Sequence, residues 1–174
     1  RDSIQELIDL GLVSDDVMVG IVEERLSRPD AARGFILDGF PRTVAQAIAL
    51  DGIMSGRAPL VVVDIVVPEA ELVRRLGTRL VCDACGTNAE SGAVACGKCG
   101  GRLVQRVDDS QAVVLERLEV YKRKTKPLVE FYSARPTFCT VDGAQAPDRV
   151  AAALEAAVAG AAERSRGTVG GALR

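Results

Sequence analysis

The sequence predicts an α/β fold: a parallel sheet flanked by helices and interrupted by a small metal-stapled insert. Three observations carry this. Apolar, strand-like runs at 35–38, 60–67 and 137–141 alternate with segments of helical period. The run Leu60 to Val67 is rich in valine and isoleucine on both faces, as in a central strand of a parallel sheet. Residues 80–106 break the pattern, with four cysteines and five glycines but few long apolar side chains.

Along the chain, Ile4, Leu7, Ile8 and Leu12 are spaced for a helix that stops near Gly11. Ser14-Asp15-Asp16 offers an N-cap and an acidic first turn to a second helix, with Val17, Ile21, Val22 and Leu26 as its stripe and Pro29 as its end. After Arg33-Gly34 comes a strand at 35–38, and Thr43 caps a helix over 44–50. Gly52 to Pro59 reads as a loop before the strand 60–67, in which Asp64 requires a partner or an end position. Pro68 suits the first turn of a helix to about Arg79. Asp109 or Ser110 caps a long helix carrying Val114, Leu118, Tyr121, Leu128 and Tyr132, which Pro127 kinks or splits. Thr137 to Val141 is a last strand, Asp142-Gly143 a turn, and Pro147 starts an Ala-rich helix to about residue 164, with a frayed tail from Ser165.

The 174 residues, 48% of them hydrophobic, suffice for one well-packed domain with a small inserted lobe. A formal charge of -2 and a pI near 5.3 give no global basic field, which argues against a nonspecific nucleic-acid binder. No run approaches the ~20 apolar residues of a membrane span, and no signal peptide is recognisable. The chain opens on Arg1 inside a helical pattern with no initiator Met, which reads as an amino terminus that has been cut off. There is no histidine, so any catalysis rests on carboxylates, arginines and backbone.

Cys82-x-x-Cys85 and Cys96-x-x-Cys99, each followed by glycine, form two knuckles. Thiolates at this spacing close a tetrahedral site, and the glycines permit the tight turns that aim backbone N–H groups at sulfur. The reading is a structural zinc site of four thiolates, with iron as the other metal that thiolates accept. A pair of redox dithiols is the rival, but a redox Cys-x-x-Cys sits at a helix start, which Gly-rich turns do not supply. Cys139, in a predicted strand, reads as a buried hydrophobe.

Arg75 and Arg79 stand four apart on one predicted helix, and Arg106 and Arg117 bracket the far root of the insert. Their spacing fits either a phosphate clamp or a solvated basic face. Asp38 ends its strand in the manner of an acid that holds Mg2+ or its waters, although an Asp there also serves as a turn or cap residue. Pro41 fixes the turn that carries Arg42.

Taken together, Leu37-Asp38-Gly39-Phe40-Pro41-Arg42-Thr43 with Gln46, the Arg75/Arg79 helix, the four-cysteine insert, Arg106-Val107-Asp108-Asp109 and Val141-Asp142-Gly143 resemble an adenylate kinase of the bacterial type with a zinc-stapled lid. The likeness covers nearly the whole chain in order. It implies a P-loop NTPase-like parallel sheet with a lid at 78–109, a core at 14–77 and 110–164, the end of the AMP-binding region at 1–13 and a flexible tail at 165–174.

The resemblance also implies site residues. Gly11, Leu12 and Val13 would lie at the adenine of AMP. Gly39, Phe40, Pro41, Arg42 and Gln46 would bind the rest of it, with Arg42 on the phosphate and Gln46 on the base. Arg75 and Arg79 would contact ATP phosphates, Arg106 and Arg117 would swing in to neutralise the transferring phosphoryl group, and Asn88, Ala89 and Gln145 would lie at ATP. The family it resembles commonly has a hydroxyl residue followed by an aromatic one where this chain has Asn88-Ala89. Asp38 would act through Mg2+ and water, and Cys82, Cys85, Cys96 and Cys99 would hold Zn2+. The implied reaction is ATP + AMP = 2 ADP in a cytoplasmic monomer, without a nucleic-acid or membrane partner.

Phosphoryl transfer needs positioning and charge neutralisation more than a proton shuttle, so the missing histidine costs it nothing essential. The family's first strand and its Gly-rich phosphate loop are absent from the sequence, so the chain by itself is expected to bind ATP poorly and to show little activity. The other readings are a kinase for another nucleoside monophosphate, a zinc-ribbon module for nucleic acid or protein, and an inactive remnant. The ribbon reading is disfavoured because Lys98 is the only basic residue between Cys82 and Cys99, and no aromatic one lies there.

Overall fold

The computed structural model describes residues 14–90, 92–106 and 109–169, with side chains as far as residue 164. The expected helix over residues 4–8 lies outside them, as do Gly11, Leu12 and Val13.

Ser14 begins the description as an N-cap, its Oγ accepting from Val17 N at 3.4 Å, with Asp15 and Asp16 in the first turn of α1 (Asp15–Ser27). Pro29 then opens a 3-10 turn (Pro29–Arg33). Thr43 caps α2 (Val44–Ile53) by accepting from Gln46 N. Strand β1 is Val62–Val66 and α3 is Glu69–Gly77. The insert contains two short strands, β2 (Leu80–Cys82) and β3 (Leu103–Gln105), paired antiparallel with Cys82 opposite Leu103. Helix α4 (Gln111–Val120) passes into a π-helical turn (Tyr121–Thr125), and α5 (Pro127–Ser133) restarts at the proline, which has no N–H to continue the ladder. Strand β4 (Phe138–Asp142) and α6 (Pro147–Val169) complete the chain.

β1 and β4 pair with each other. Val62 N donates to Thr137 O at 3.1 Å and Gly143 N to Val66 O at 2.8 Å, so the positions advance together and the strands run parallel. The crossover between them contains α3, the insert, α4 and α5.

The residues group into two compact units, 14–62 with 123–139 and 158–169, and 63–122 with 140–157. In the first, Val22, Leu26, Ala31 and Leu50 form a core with Phe35, Leu37 and Phe40 against it. Ala47, Leu128 and Tyr132 form a second cluster with Val62 and Phe138. In the second unit, Gly143 is buried where a Cβ would stand 2.6 Å from Ile65 Cγ2 and 2.7 Å from Val67 Cγ2, so only glycine fits the turn after β4.

Several expectations are corrected. Residues 35–37 carry no regular secondary structure and Asp38 lies in a bend, so the expected strand does not form among the described residues. Phe35 and Leu37 turn inward while Ile36 is 93% exposed, so the alternation of a strand is present without a ladder partner. β1 has one described partner, β4, and Ile65 and Val66 stay exposed, unlike a central strand. Val17 and Ile21 face outward, leaving Val22 and Leu26 as the buried stripe of α1. Helix α3 stops at Gly77, so Arg79 lies beyond it and does not share a helix face with Arg75. Cys139 is only partly buried, with Arg164 Nη2 at 3.7 Å from its sulfur. The last helix runs to Val169, past the end expected at about residue 164.

Candidate functional site

In the first unit, the loop that follows residues 35–37 is built around Gln46, which is 6% exposed at the start of α2. Its Oε1 accepts from Arg42 N at 2.7 Å, and its Nε2 donates to Asp15 Oδ1 at 2.7 Å. Thr43 Oγ1 donates to Asp15 Oδ2, also at 2.7 Å. The capping residue of one helix and the first-turn acid of another are thereby tied through a single carboxylate. Arg42 Nε donates to Gly39 O at 2.8 Å, folding the guanidinium over a glycine whose φ is 71°. A Cβ on Gly39 would lie 3.0 Å from Arg42 Nη2. Thr125 Oγ1, in the π turn, donates to Arg42 O at 3.0 Å. Asp38 and Arg42 are both exposed at this loop, and Phe40 and Pro41 are partly buried. Thr43 is the cap the sequence predicts, but its bond to Asp15 and the contact of Thr125 with this loop carry no local sequence signal. The Ser-Asp-Asp cap signal located Asp15 but not its partners.

In the second unit, Arg75 Nε donates to Glu71 Oε1 at 2.6 Å, while Nη1 and Nη2 reach Gly143 O at 3.0 Å and Ala144 O at 3.1 Å. Arg75 is thus brought to the loop that carries Gln145, one residue past Ala144. The guanidinium of Arg74, and then that of Arg75, hold the Glu71 carboxyl down to about 2. Ala144 N donates to Asp142 Oδ1, closing the turn after β4.

Arg79 meets Asp109 in a two-pronged ion pair: Nε to Oδ2 at 2.8 Å and Nη2 to Oδ1 at 2.6 Å, with Asp109 at 0% exposure. Gln105 Nε2 donates to Gly77 O and Asp109 O, both at 3.3 Å, which ties the two roots of the insert. Of Asp109 and Ser110, the two expected caps, Ser110 takes the N-cap position of α4, and the Asp109 carboxylate is used on Arg79. Arg106 and Arg117 are exposed, on the far root and on α4. Asn88 is exposed and bridges Val81, and Ala89 N donates to Leu80 O at 2.8 Å, so both lie beside β2.

The insert's two knuckles repeat one hydrogen-bond pattern. Cys82 N donates to Thr87 O and Gly86 N to Cys82 O; Cys96 N donates to Gly101 O and Gly100 N to Cys96 O, all at 2.8–2.9 Å. Gly86 and Gly100 adopt matching φ values of 71° and 69°. The four sulfurs lie within 4.8 Å of one another, with Cys82–Cys99 at 3.4 Å, Cys85–Cys96 at 3.6 Å and Cys85–Cys99 at 3.5 Å. Metal–sulfur bonds of about 2.3 Å in a tetrahedron put sulfurs about 3.8 Å apart, so the cluster fits a tetrahedral thiophilic ion.

The electrostatics agree. The hydroxyl and backbone of Thr87 draw Cys85 down to about 6. Although the Gly101 N–H favours its thiolate, crowding by Cys82, Cys85 and Cys96 pushes Cys99 up to about 12. Thiolate is the form that ligates a metal, so binding one here would release thiol protons. Gly101 is the cradle: a Cβ there would stand 2.7 Å from Cys82 Sγ and 3.2 Å from Cys99 Sγ.

These features define an α/β protein with a parallel strand pair, a metal-fitting insert between α3 and α4, and an Asp-Gly-Phe-Pro-Arg loop held by buried polar side chains. The family model described as adenylate kinase matches residues 2–137. A protein of Moorella thermoacetica named adenylate kinase is 46% identical over 151 residues, which cover 82% of this chain and 70% of that one. One of the same name from Kosmotoga olearia is 45% identical, covering 80% and 69%. Another from Bacillus thuringiensis is 44% identical over 167 residues, covering 91% and 77%. The chain belongs to the adenylate kinase family.

Proposed function

We propose that this protein is a nucleoside monophosphate kinase that transfers the terminal phosphoryl group of ATP to AMP, reversibly giving two ADP. The observation that carries the reading is the family match over residues 2–137, which includes both the Asp38-to-Arg42 loop and all four clustered cysteines. In this reading Arg42, with Gly39, Phe40 and Pro41, takes the acceptor phosphate, and Gly11, Leu12 and Val13 lie at the acceptor base. Arg75, Arg79, Arg106 and Arg117 supply positive charge to the donor and transferring phosphates. Asn88, Ala89 and Gln145 lie on the ATP side.

Asp38, an exposed carboxylate on this loop, suits a hard cation and would hold Mg2+ through its waters. The ion's contribution when bound is to neutralise phosphate charge. Cys82, Cys85, Cys96 and Cys99 would hold Zn2+ as the structural staple of a lid at 78–109, which excludes water when it closes. The working form in this reading is a cytoplasmic monomer. Among the described residues no helix is long and apolar enough to cross a membrane.

Gln46 supplies the reason to test the base. Its Oε1 accepts from Arg42 N and its Nε2 donates to Asp15, so one amide hydrogen and one oxygen lone pair are left for a base edge. Phosphorylation assayed on the full-length protein with AMP, GMP, UMP and CMP in parallel is expected to favour AMP. Preference for another base would keep the kinase and overturn the acceptor.

A further inference from the structure

The chain is acidic overall, and seven of its described cations pair with nearby carboxylates. Arg25 pairs with Asp30, Arg28 with Glu24, Arg74 and Arg75 with Glu71, Arg79 with Asp109, Arg135 with Asp51, and Lys122 with both Glu69 and Glu119. Among the described residues, Arg33, Lys98, Arg102 and Arg149 are exposed with no such pair but stand apart in the sequence, whereas at the π turn and the start of α5 three such cations cluster. Arg123, Lys124 and Lys126 are exposed within four residues, and among the described residues no carboxylate pairs with any of them. Three like charges at this spacing repel one another, a cost that a counter-anion removes.

Their place in the fold says where such an anion would go. Thr125 lies between Lys124 and Lys126, and its hydroxyl donates to Arg42 O at 3.0 Å, fixing the basic turn against the residue assigned to the acceptor phosphate. A π turn inside a helix is a common device at functional sites, because the wider ring displaces the side chains that follow it.

We propose that Arg123, Lys124 and Lys126 form a steering rim that draws the nucleoside monophosphate dianion toward Arg42. The inference rests on the kinase reading above. The rim touches neither reacting atom; it raises the local concentration of the acceptor, and the donor, bound elsewhere, gains little.

The test is steady-state kinetics of the full-length protein with Arg123, Lys124 and Lys126 all changed to Gln. At about 10 mM ionic strength, where the screening length is about 30 Å, KM for AMP should rise roughly three- to tenfold, with kcat and KM for ATP unchanged. At about 1 M salt, where that length is about 3 Å, variant and parent should converge. A charge-keeping variant, Arg123→Lys with Lys124→Arg and Lys126→Arg, should match the parent and so separates charge from folding. An unchanged KM for AMP, an equal rise for ATP, or an effect that survives 1 M salt would overturn the rim. A parent protein that phosphorylates no monophosphate would instead overturn the kinase reading.

Discussion

Arg79 and Asp109 hold the two roots of the cysteine insert together, through two hydrogen bonds of 2.8 and 2.6 Å to a carboxylate with no exposure to solvent. Arg79 is 29% exposed, and the asymmetry makes a prediction. Arg79→Met strands a buried carboxylate and should cost about 3–5 kcal/mol, whereas Asp109→Asn leaves a guanidinium that water partly reaches and should cost about half that. Thermal melts should place Arg79→Met lower, by roughly 10 °C from the parent. The reverse order would show that the burial of Asp109 does not govern the pair.

Gly101 has the same standing for the metal as the cysteines themselves. Gly101→Ala drives a methyl group into Cys82 Sγ and Cys99 Sγ, so metal content should fall from about one ion per chain toward that of Cys82→Ser. Gly97→Ala, with nothing within 4 Å of its Cβ position, should keep the metal. Elemental analysis of the purified variants decides, and also distinguishes zinc from iron.

Gln46 links Asp15 and Arg42, and changing it to Glu would set a second carboxylate against Asp15. We expect Gln46→Glu to destabilise by about 2–3 kcal/mol, and Asp15→Asn to restore part of that loss in the double variant. Denaturant melts of the four proteins give the coupling. Strict additivity would contradict the shared carboxylate.

Glu71 supplies the pH dependence. Its folded value, about 2, is depressed below the ordinary 4.5 by Arg74 and Arg75. Its contribution is therefore fully present above pH 4.5 and is lost as the pH falls toward 2. The stability difference between the parent and Glu71→Gln should be constant above that range and shrink within it. A difference that grows on acidification would reverse the sign.

Much of the fold was legible because local chemistry determines it. The Ser14 and Thr43 caps, the helix break at Pro127 and the Asp142-Gly143 turn each act over a few residues, and each stands where the sequence put it. The cysteine spacing located the metal-fitting cluster for the same reason. What the sequence hid depends on distant partners. Residues 35–38 have strand alternation but no described neighbour to pair with. Asp109 and Ser110 both read as the cap of α4, and nothing local shows that Arg79, thirty residues earlier, takes the Asp109 carboxylate and leaves Ser110 at the cap. Gln46 carries no signal that its amide faces Asp15, because that contact needs α1 and α2 side by side.

The central claim is phosphoryl transfer to AMP, and the most direct measurement follows phosphorus in the full-length protein by 31P NMR with ATP, AMP and Mg2+. The account predicts that ATP and AMP decline together while two ADP appear for each pair consumed, with no inorganic phosphate. ATP loss that releases inorganic phosphate regardless of AMP, or no reaction at all, would contradict it.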